Sequence, residues 1–272
     1  MTLAAASEYT EADETDLAEP DPATRDLIAA SIPGGAANVQ DIYPLAPLQE
    51  GLLYHHLTDE HDPYQQQAQF SFARREQLDA FAQALQQVID RHDILRTSLV
   101  WEGLEQPMQV VWRQAPLRVE PLREGPAPLD LRRAPLMALD YAEEPSHPRW
   151  VARLRFHHWV NDATSTTLLM QEIRAHLLGL QAQLPTPVPY RNVVVQARSP
   201  ARQAGHEAFF REQLGDVDEP TLAFGLQERQ ADRAHTVATA VDELSDYLIG
   251  KDPRNIEDIL TLNVPLRALI TT

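Results

Sequence analysis

The residues best suited to chemistry lie in one short segment, where His157 and His158 are followed by Asp162 and Ala163. An imidazole held in one tautomer titrates close to neutral pH, so it can transfer a proton or orient a nucleophile. Asp162 precedes apolar residues at helical spacing, which places it where a helix N-cap or a buried charge partner belongs. We therefore predict a proton-transfer site in which His158 acts and Asp162 fixes the turn.

The segment that leads to the histidines, residues 149–158, alternates between apolar and polar side chains and is predicted to be a strand. Alternation with a period of two places His158 on the same face as Trp150, Ala152, Leu154 and Phe156, and His157 on the face of Arg153 and Arg155. We therefore expect His158 to point into the protein and His157 to point outward.

The elements that must position this strand can be predicted from the flanking patterns. Strands are expected at Gln65–Ala73, after Ile94, at Met108–Trp112 and at Pro135–Tyr141; helices are expected at Ala23–Ser31, from Pro47, at Glu76–Arg91, after Asp162 and at Glu207–Leu214. The helix from Pro47 is expected to bury Leu48, Gly51, Leu52, Tyr54 and His55, and residues 116–128 are expected to be a loop. Strands and helices alternate without repeats, which favours an α/β or α+β layered fold.

Composition narrows the possible functions. The chain has 272 residues, of which 43% are hydrophobic, enough for one large or two small domains. Its 40 acidic and 23 basic residues give a net charge of −17, which disfavours nucleic acid and anionic membranes as partners. Cysteine is absent, so disulfides and thiolate metal sites are excluded. No membrane span or signal sequence is evident, and we expect a cytoplasmic protein.

Three further histidines, His55, His56 and His61, lie close together and could suggest a metal site. No further ligand at a defined spacing accompanies them, so we predict no metal here. Residues 1–37 are rich in Asp and Glu and are predicted to be an acidic linker with a short helix, so that the domain proper begins near Asn38.

Taken in order, four segments resemble the motifs of condensation domains of nonribosomal peptide synthetases, which are relatives of chloramphenicol acetyltransferase. They are Asp41–His55, Arg91–Thr97, His157–Ala163, which is similar to the HHxxxDG active-site motif, and more loosely Tyr190–Gln196. The similarity covers residues 38–230. It implies an α/β fold, namely a chloramphenicol-acetyltransferase-like lobe with a mixed sheet and flanking helices.

The resemblance also implies roles for individual residues. His158 would position or deprotonate an acceptor amine as it attacks a carrier-bound thioester, with His157 beside it in the motif. Asp162 would be structural and paired with an arginine of the second motif, for which Arg96 is preferred over Arg91. No cofactor would bind directly, and the substrates would arrive on the phosphopantetheine arms of external donor and acceptor peptidyl carrier domains.

The chain departs from the family pattern at three places, one of which is the loop between Leu122 and Leu131, which is short beside that of family members. Ala163 replaces the motif glycine, so backbone strain is expected there. The family's second lobe is not recognisable; residues 231–272 are predicted to be an unrelated helical tail, in which residues 234–258 resemble a fragment of the enolase-superfamily N-terminal domain. The resemblance therefore predicts a truncated condensation domain that forms no dipeptide alone.

Two alternatives remain open from the sequence. The chain could be a catalytically inactive remnant or a carrier-docking module, or it could be a coenzyme A-dependent acyltransferase. The second alternative would need a complementary lobe from another subunit, so a dimer or trimer in solution would favour it.

Overall fold

The computed structural model describes residue 17 and residues 19–58, 62–123, 128–145 and 147–217. The chain divides into two compact units, residues 1–203 and residues 204–272. In the second unit the description covers residues 204–217, which contain the end of the last helix. The predicted tail at residues 231–272 lies outside the described residues.

The helices of the described residues are α1 (Pro22–Ser31), α2 (Pro47–Thr58), α3 (Arg75–Arg91), α4 (Ala163–Leu177), α5 (Arg191–Arg198) and α6 (Pro200–Leu214). The strands are β1 (Val39–Pro44), β2 (Gln65–Phe72), β3 (Thr97–Val100), β4 (Met108–Trp112), β5 (Arg118–Pro121), β6 (Met137–Glu143) and β7 (Trp150–His157). Most predicted elements are present within a few residues of their expected ends.

The strands form two sheets. One has three antiparallel strands in the order β1-β4-β3, and the other is mixed, with four strands in the order β2-β7-β6-β5. In the mixed sheet β7 is central and pairs antiparallel with β2 on one side and β6 on the other. The histidine pair therefore stands at the end of a strand that is held from both sides.

Helix α3 packs onto the sheet through one apolar stripe. Its predicted core residues are all buried: Leu78, Phe81, Leu85, Val88 and Ile89. Their spacing of three and four residues puts them on one side of the helix, so they are buried together in the core. Phe81 contacts both Phe70 and Phe72 of β2. This packing holds β2, the neighbour of β7, in place.

Helix α1, which belongs to the segment predicted as a linker, packs into the main core. Ile28 at its centre and Ile32 just after its end are buried among residues of the lobe. Asp21 caps the helix, since its carboxylate accepts hydrogen bonds from the Ala23 and Thr24 backbone N–H groups. The short helix predicted at residues 23–31 is thus confirmed.

The structure corrects two local predictions. Helix α2 buries Gln49 and Leu53, whereas Leu48 is 78% exposed, so the predicted apolar face was wrong. Gln49 is buried because its side chain accepts from the Ala46 N–H and pairs with Gln109 of β4. The region predicted as a loop at residues 116–128 contains β5, an exposed strand at the sheet edge, where its proline is tolerated.

Among the described residues, no helix is both long enough and apolar enough to span a membrane.

Candidate functional site

The C-terminal half of β7 is buried on both faces, which corrects the expectation that His157 points outward. His157 is 0% exposed, whereas His158 is half-buried. On the His157 face, Arg155 is also buried and binds Asp140 of β6 through Nε at 2.7 Å and Nη2 at 3.1 Å. The side chains of β7 therefore alternate between two faces of the sheet, and in the C-terminal half of the strand both faces are buried.

His157 is fixed at both ring nitrogens. Its Nδ1 accepts a hydrogen bond from the Trp159 backbone N–H at 3.0 Å. Because a neutral imidazole has one acceptor and one donor nitrogen, Nε2 carries the proton. That Nε2–H donates to Asp62 Oδ2 at 2.9 Å. His157 is therefore held as the Nε2–H tautomer with no nitrogen left for substrate.

Asp62 is the common hydrogen-bond acceptor for several groups around His157. Besides His157, its carboxylate accepts from His56 Nδ1 at 2.7 Å and from the Tyr64 backbone N–H at 2.9 Å. Burial alone would raise the pKa of Asp62, but the donors on His157, Tyr64 and His56 outweigh it and hold that pKa well below its usual value. Asp62 is therefore an anion that anchors the segment between α2 and β2 to β7.

The potential ligand atoms of His56, Asp62 and His157 lie within 4.8 Å of one another, a grouping that could hold a metal ion. Coordination by His157 Nε2 would require the proton to move to Nδ1, where the Trp159 N–H already donates. The arrangement fits a hydrogen-bond network better than a metal centre. Of the sequence candidates, His55 instead contacts the Tyr64 hydroxyl at 3.0 Å, and His61 lies outside the described residues.

His158 is held in the opposite tautomer. Its Nδ1 lies 2.9 Å from the backbone carbonyl oxygen of Asn161, which can only accept, so Nδ1 carries the proton. Its Nε2 then presents a lone pair, and the side-chain nitrogen of Gln66 lies 2.6 Å from it. The His158 backbone N–H donates to the Tyr64 carbonyl oxygen at 2.9 Å. These contacts place the lone pair of the His158 ring on Nε2, where the Gln66 side chain is its hydrogen-bond partner.

Asp162 is the N-cap of α4, as one of the two sequence interpretations predicted. Its carboxylate accepts from the Ser165 backbone N–H at 2.7 Å. This bond is the main cause that lowers the pKa of Asp162, and the nearby His158 ring lowers it further. Asp162 is exposed, and it makes no arginine contact among the described residues. The Asp162 carboxylate thus occupies the N-terminus of α4.

The expected pairing of Asp162 with Arg96 or Arg91 is therefore wrong for the described part of the chain. Arg96 is buried and donates to Gln40 Oε1 at 2.8 Å and to the Trp112 carbonyl oxygen. Arg91 binds Glu172 of α4 at 3.1 Å. Both arginines thus join structural elements and do not reach the histidine turn.

Ala163 does not bring the strain that replacement of a glycine suggested. It is the first residue of α4 and adopts helical backbone geometry, which alanine favours. The described residues with positive φ are glycines elsewhere: Gly34, Gly35, Gly103 and Gly179. Ala163 is also exposed, so its side chain displaces nothing from the core.

The remaining motif residues tie distant segments together. Asp93 of the second motif accepts from the Tyr190 backbone N–H at 2.9 Å, and its burial raises its pKa. Arg191 of the fourth motif donates to Asp41 of the first motif at 2.9 Å. These contacts give the first, second and fourth motifs a structural role, while the third motif carries the histidines.

Sequence reasoning missed the residues that hold the histidines: Asp62, Tyr64 and Gln66. They lie in one short stretch where β2 begins, and of the three, Gln66 falls within the strand predicted at Gln65–Ala73. The sequence signal that could have pointed to Gln66 is the run of three consecutive glutamines, Gln65, Gln66 and Gln67, in a predicted strand. Pairing of β2 with β7 could not be derived from that pattern alone.

Two cavities lie elsewhere in the first unit. One of about 600 Å³ is lined by Asn38, Arg113 and Arg133 among others, and one of about 370 Å³ is lined by Leu27 and Trp101 among others. Neither is lined by His157 or His158.

The fold agrees with what comparisons with known proteins show. The Condensation domain family model matches residues 39–243, about three quarters of the chain, and continues past residue 230. The chain belongs to the condensation-domain family. It is 39% identical over 244 residues to malpinin synthetase of Mortierella alpina, covering 82% of this chain and 3% of that protein. It is 30% identical over 253 residues to a linear gramicidin synthase of Brevibacillus parabrevis, covering 83% and 3%.

Solved structures show the same fold. The condensation domain of Monacolin K polyketide synthase superposes with a TM-score of 0.55 and 15% identity, covering 71% of this chain and 46% of that one. The starter condensation domain of rhizomide synthetase superposes with a TM-score of 0.50 and 20% identity, covering 66% and 50%. The chain thus spans a small part of its synthetase relatives and about half of these structures. The predicted chloramphenicol-acetyltransferase-like α/β fold is confirmed.

Proposed function

We propose that this chain carries the histidine-bearing part of a condensation site that forms an amide bond from a thioester and an amine. The proposal rests on one observation: Asn161 fixes the proton of His158 on Nδ1, so the lone pair of the ring lies on Nε2, where its partner is the side-chain amide of Gln66. A histidine in this state can accept a proton from an amine as the amine attacks a carbonyl carbon.

The reaction would proceed as follows. The amine nitrogen bonds to the thioester carbonyl carbon while one of its protons passes to His158 Nε2. The carbon–sulfur bond then breaks, and the proton on Nε2 passes to the leaving thiolate. The products are an amide and a thiol, and His158 returns to its starting state. His157 would support this cycle indirectly, because its two nitrogens stay bound to Trp159 and Asp62.

The substrates of this reaction would be carried by other proteins. Relatives at 39% and 30% identity are named malpinin synthetase and linear gramicidin synthase. We propose that an aminoacyl or peptidyl thioester arrives on the phosphopantetheine arm of a donor carrier domain, and that an acceptor carrier domain supplies the amine. In this proposal the chain binds no cofactor of its own.

A chimera tests the proposal. Residues 39–243 would replace the matching part of a condensation domain with known amide-forming activity, and product would be measured by mass spectrometry with two loaded carrier proteins. We expect product from the chimera and a loss of about 10²-fold or more with His158→Ala. A folded chimera that gives no product would support the inactive remnant. The unmodified full chain serves as the second sample, and we expect no dipeptide from it.

A further inference from the structure

The side chain of Gln66 stands at the basic nitrogen of His158. Gln66 is the second residue of β2, half-buried, and its amide nitrogen lies 2.6 Å from His158 Nε2. In the neutral ring Nε2 is an acceptor, because Nδ1–H donates to the Asn161 carbonyl oxygen. The Gln66 amide must therefore donate to the lone pair that would take up a proton.

When His158 takes up a proton, Nε2 changes from a hydrogen-bond acceptor to a donor. The imidazolium donates from both nitrogens, so Nε2–H then needs an acceptor in place of a donor. A glutamine amide offers both groups, and its terminal torsion is broad and two-fold, so a half turn exchanges NH₂ for oxygen. The same side chain can thus bind the ring before and after proton transfer.

We propose that Gln66 is a positioning residue that holds the His158 ring in both protonation states through a half turn of its amide. An apolar side chain at this position would leave the ring bound through Nδ1 alone. A carboxylate would accept from Nε2–H at all times and would keep the ring protonated, which removes the base. The glutamine amide is uncharged and can meet both requirements from this position.

This inference rests on the proposed role of His158 as the base, but its test does not need turnover. The full chain would be labelled with ¹⁵N-histidine, and two-bond ¹H–¹⁵N correlation spectra would report the protonation of each ring nitrogen. A His158→Asn sample identifies the His158 signals among the ten histidines. At pH values where the ring is neutral, we expect a proton on Nδ1 and a hydrogen-bonded lone pair on Nε2.

Two substitutions at position 66 and one matched control decide the outcome. Gln66→Leu is expected to move the Nε2 resonance toward that of a free acceptor nitrogen, while Nδ1 stays protonated. Gln66→Glu is expected to keep both nitrogens protonated at pH values where the wild-type ring is neutral. Gln67→Glu adds the same charge at the next residue, which is exposed on the opposite face of β2, and should change neither nitrogen.

Several results would overturn the inference. They are a proton on Nε2 in the neutral wild-type ring, an unmoved Nε2 resonance in Gln66→Leu, or equal effects of Gln66→Glu and Gln67→Glu. Trp fluorescence of each variant would confirm that it is folded. In the chimera described above, Gln66→Leu is expected to lower turnover about 10-fold with little change in KM. Failure of the chimera with the expected spectra would reject the proposed function but not the role of Gln66.

Discussion

Removal of the Asp62 carboxylate should destabilise the first unit. The carboxylate accepts from His157 at 2.9 Å, His56 at 2.7 Å and the Tyr64 backbone N–H at 2.9 Å. In Asp62→Ala the Nε2–H of His157, a fully buried residue, loses its acceptor. A hydrogen bond to a charged group is worth about 1.5–3 kcal/mol, and an orphaned buried donor costs about 1–3 kcal/mol. We therefore expect a loss of about 3 kcal/mol, or about 6–12 °C in melting temperature.

The assay is urea unfolding followed by tryptophan fluorescence. The chain's four tryptophans lie at positions 101, 112, 150 and 159, so the signal reports the first unit alone. Asp79→Ala is the control, since it removes a surface ion pair to Arg75 at 2.8 Å and should cost less than about 1 kcal/mol. If Asp62→Ala and Asp79→Ala unfolded at the same urea concentration, the argument from the buried histidine would be refuted.

The pH dependence of this effect has a defined sign. The folded-state pKa of Asp62 is depressed, so its stabilisation is present above the unfolded pKa of about 3.9 and is lost as the pH falls below it. The difference in stability between wild type and Asp62→Asn should therefore be largest near neutral pH and should narrow at about pH 3. A difference that grew on acidification would contradict the assignment of Asp62 as the anion.

Three further predictions address the charged residues of the same unit. Asp140→Ala should lower stability by about 3 kcal/mol in the same assay, because it removes the carboxylate bound to the buried Arg155 guanidinium; a loss below about 1 kcal/mol would contradict this. Asp162→Ala should cost about 1 kcal/mol as the loss of an N-cap, Asp162→Ser should restore most of it, and Arg96→Ala should be additive with it. If the effects of Asp162→Ala and Arg96→Ala were not additive, an ion pair between Asp162 and Arg96 would be indicated, in contradiction to the structure. Zn²⁺ should not raise the melting temperature above that with a chelator, because the His157 Nε2 is protonated; a Zn²⁺-dependent rise lost in Asp62→Ala would show a metal site.

Local patterns predicted most of the helices and strands and the N-cap at Asp162. The apolar stripe of α3 and the alternation of β7 are properties of consecutive residues, and each emerged with nearly its expected bounds. The N-cap at Asp162 was also predictable, since it depends on residues that follow within one helical turn. The order of the motifs, read as a resemblance, supplied the fold and the family.

Contacts between distant residues could not be predicted in the same way. Period two divides β7 into two faces, but it does not tell whether the second face is covered. The cover over His157 comes from Asp62, which is 95 residues away in the chain. Arg96 lies close in sequence to Asp93, yet its partners Gln40 and Trp112 follow from the way β1 and β4 pair. The pairing of strands, which a single sequence leaves open, decided these roles.

The two adjacent histidines differ because their surroundings offer opposite groups. His157 Nδ1 meets a backbone N–H and its Nε2 meets a carboxylate, whereas His158 Nδ1 meets a backbone carbonyl and its Nε2 meets an amide. The partners of His157 cannot change roles, because the backbone N–H at Nδ1 can only donate and the carboxylate at Nε2 can only accept. The amide at His158 can change from donor to acceptor by rotation, and no backbone bond of the strand has to break. Under the proposed function, proton exchange at Nε2 is compatible with the contacts of His158 and not with those of His157.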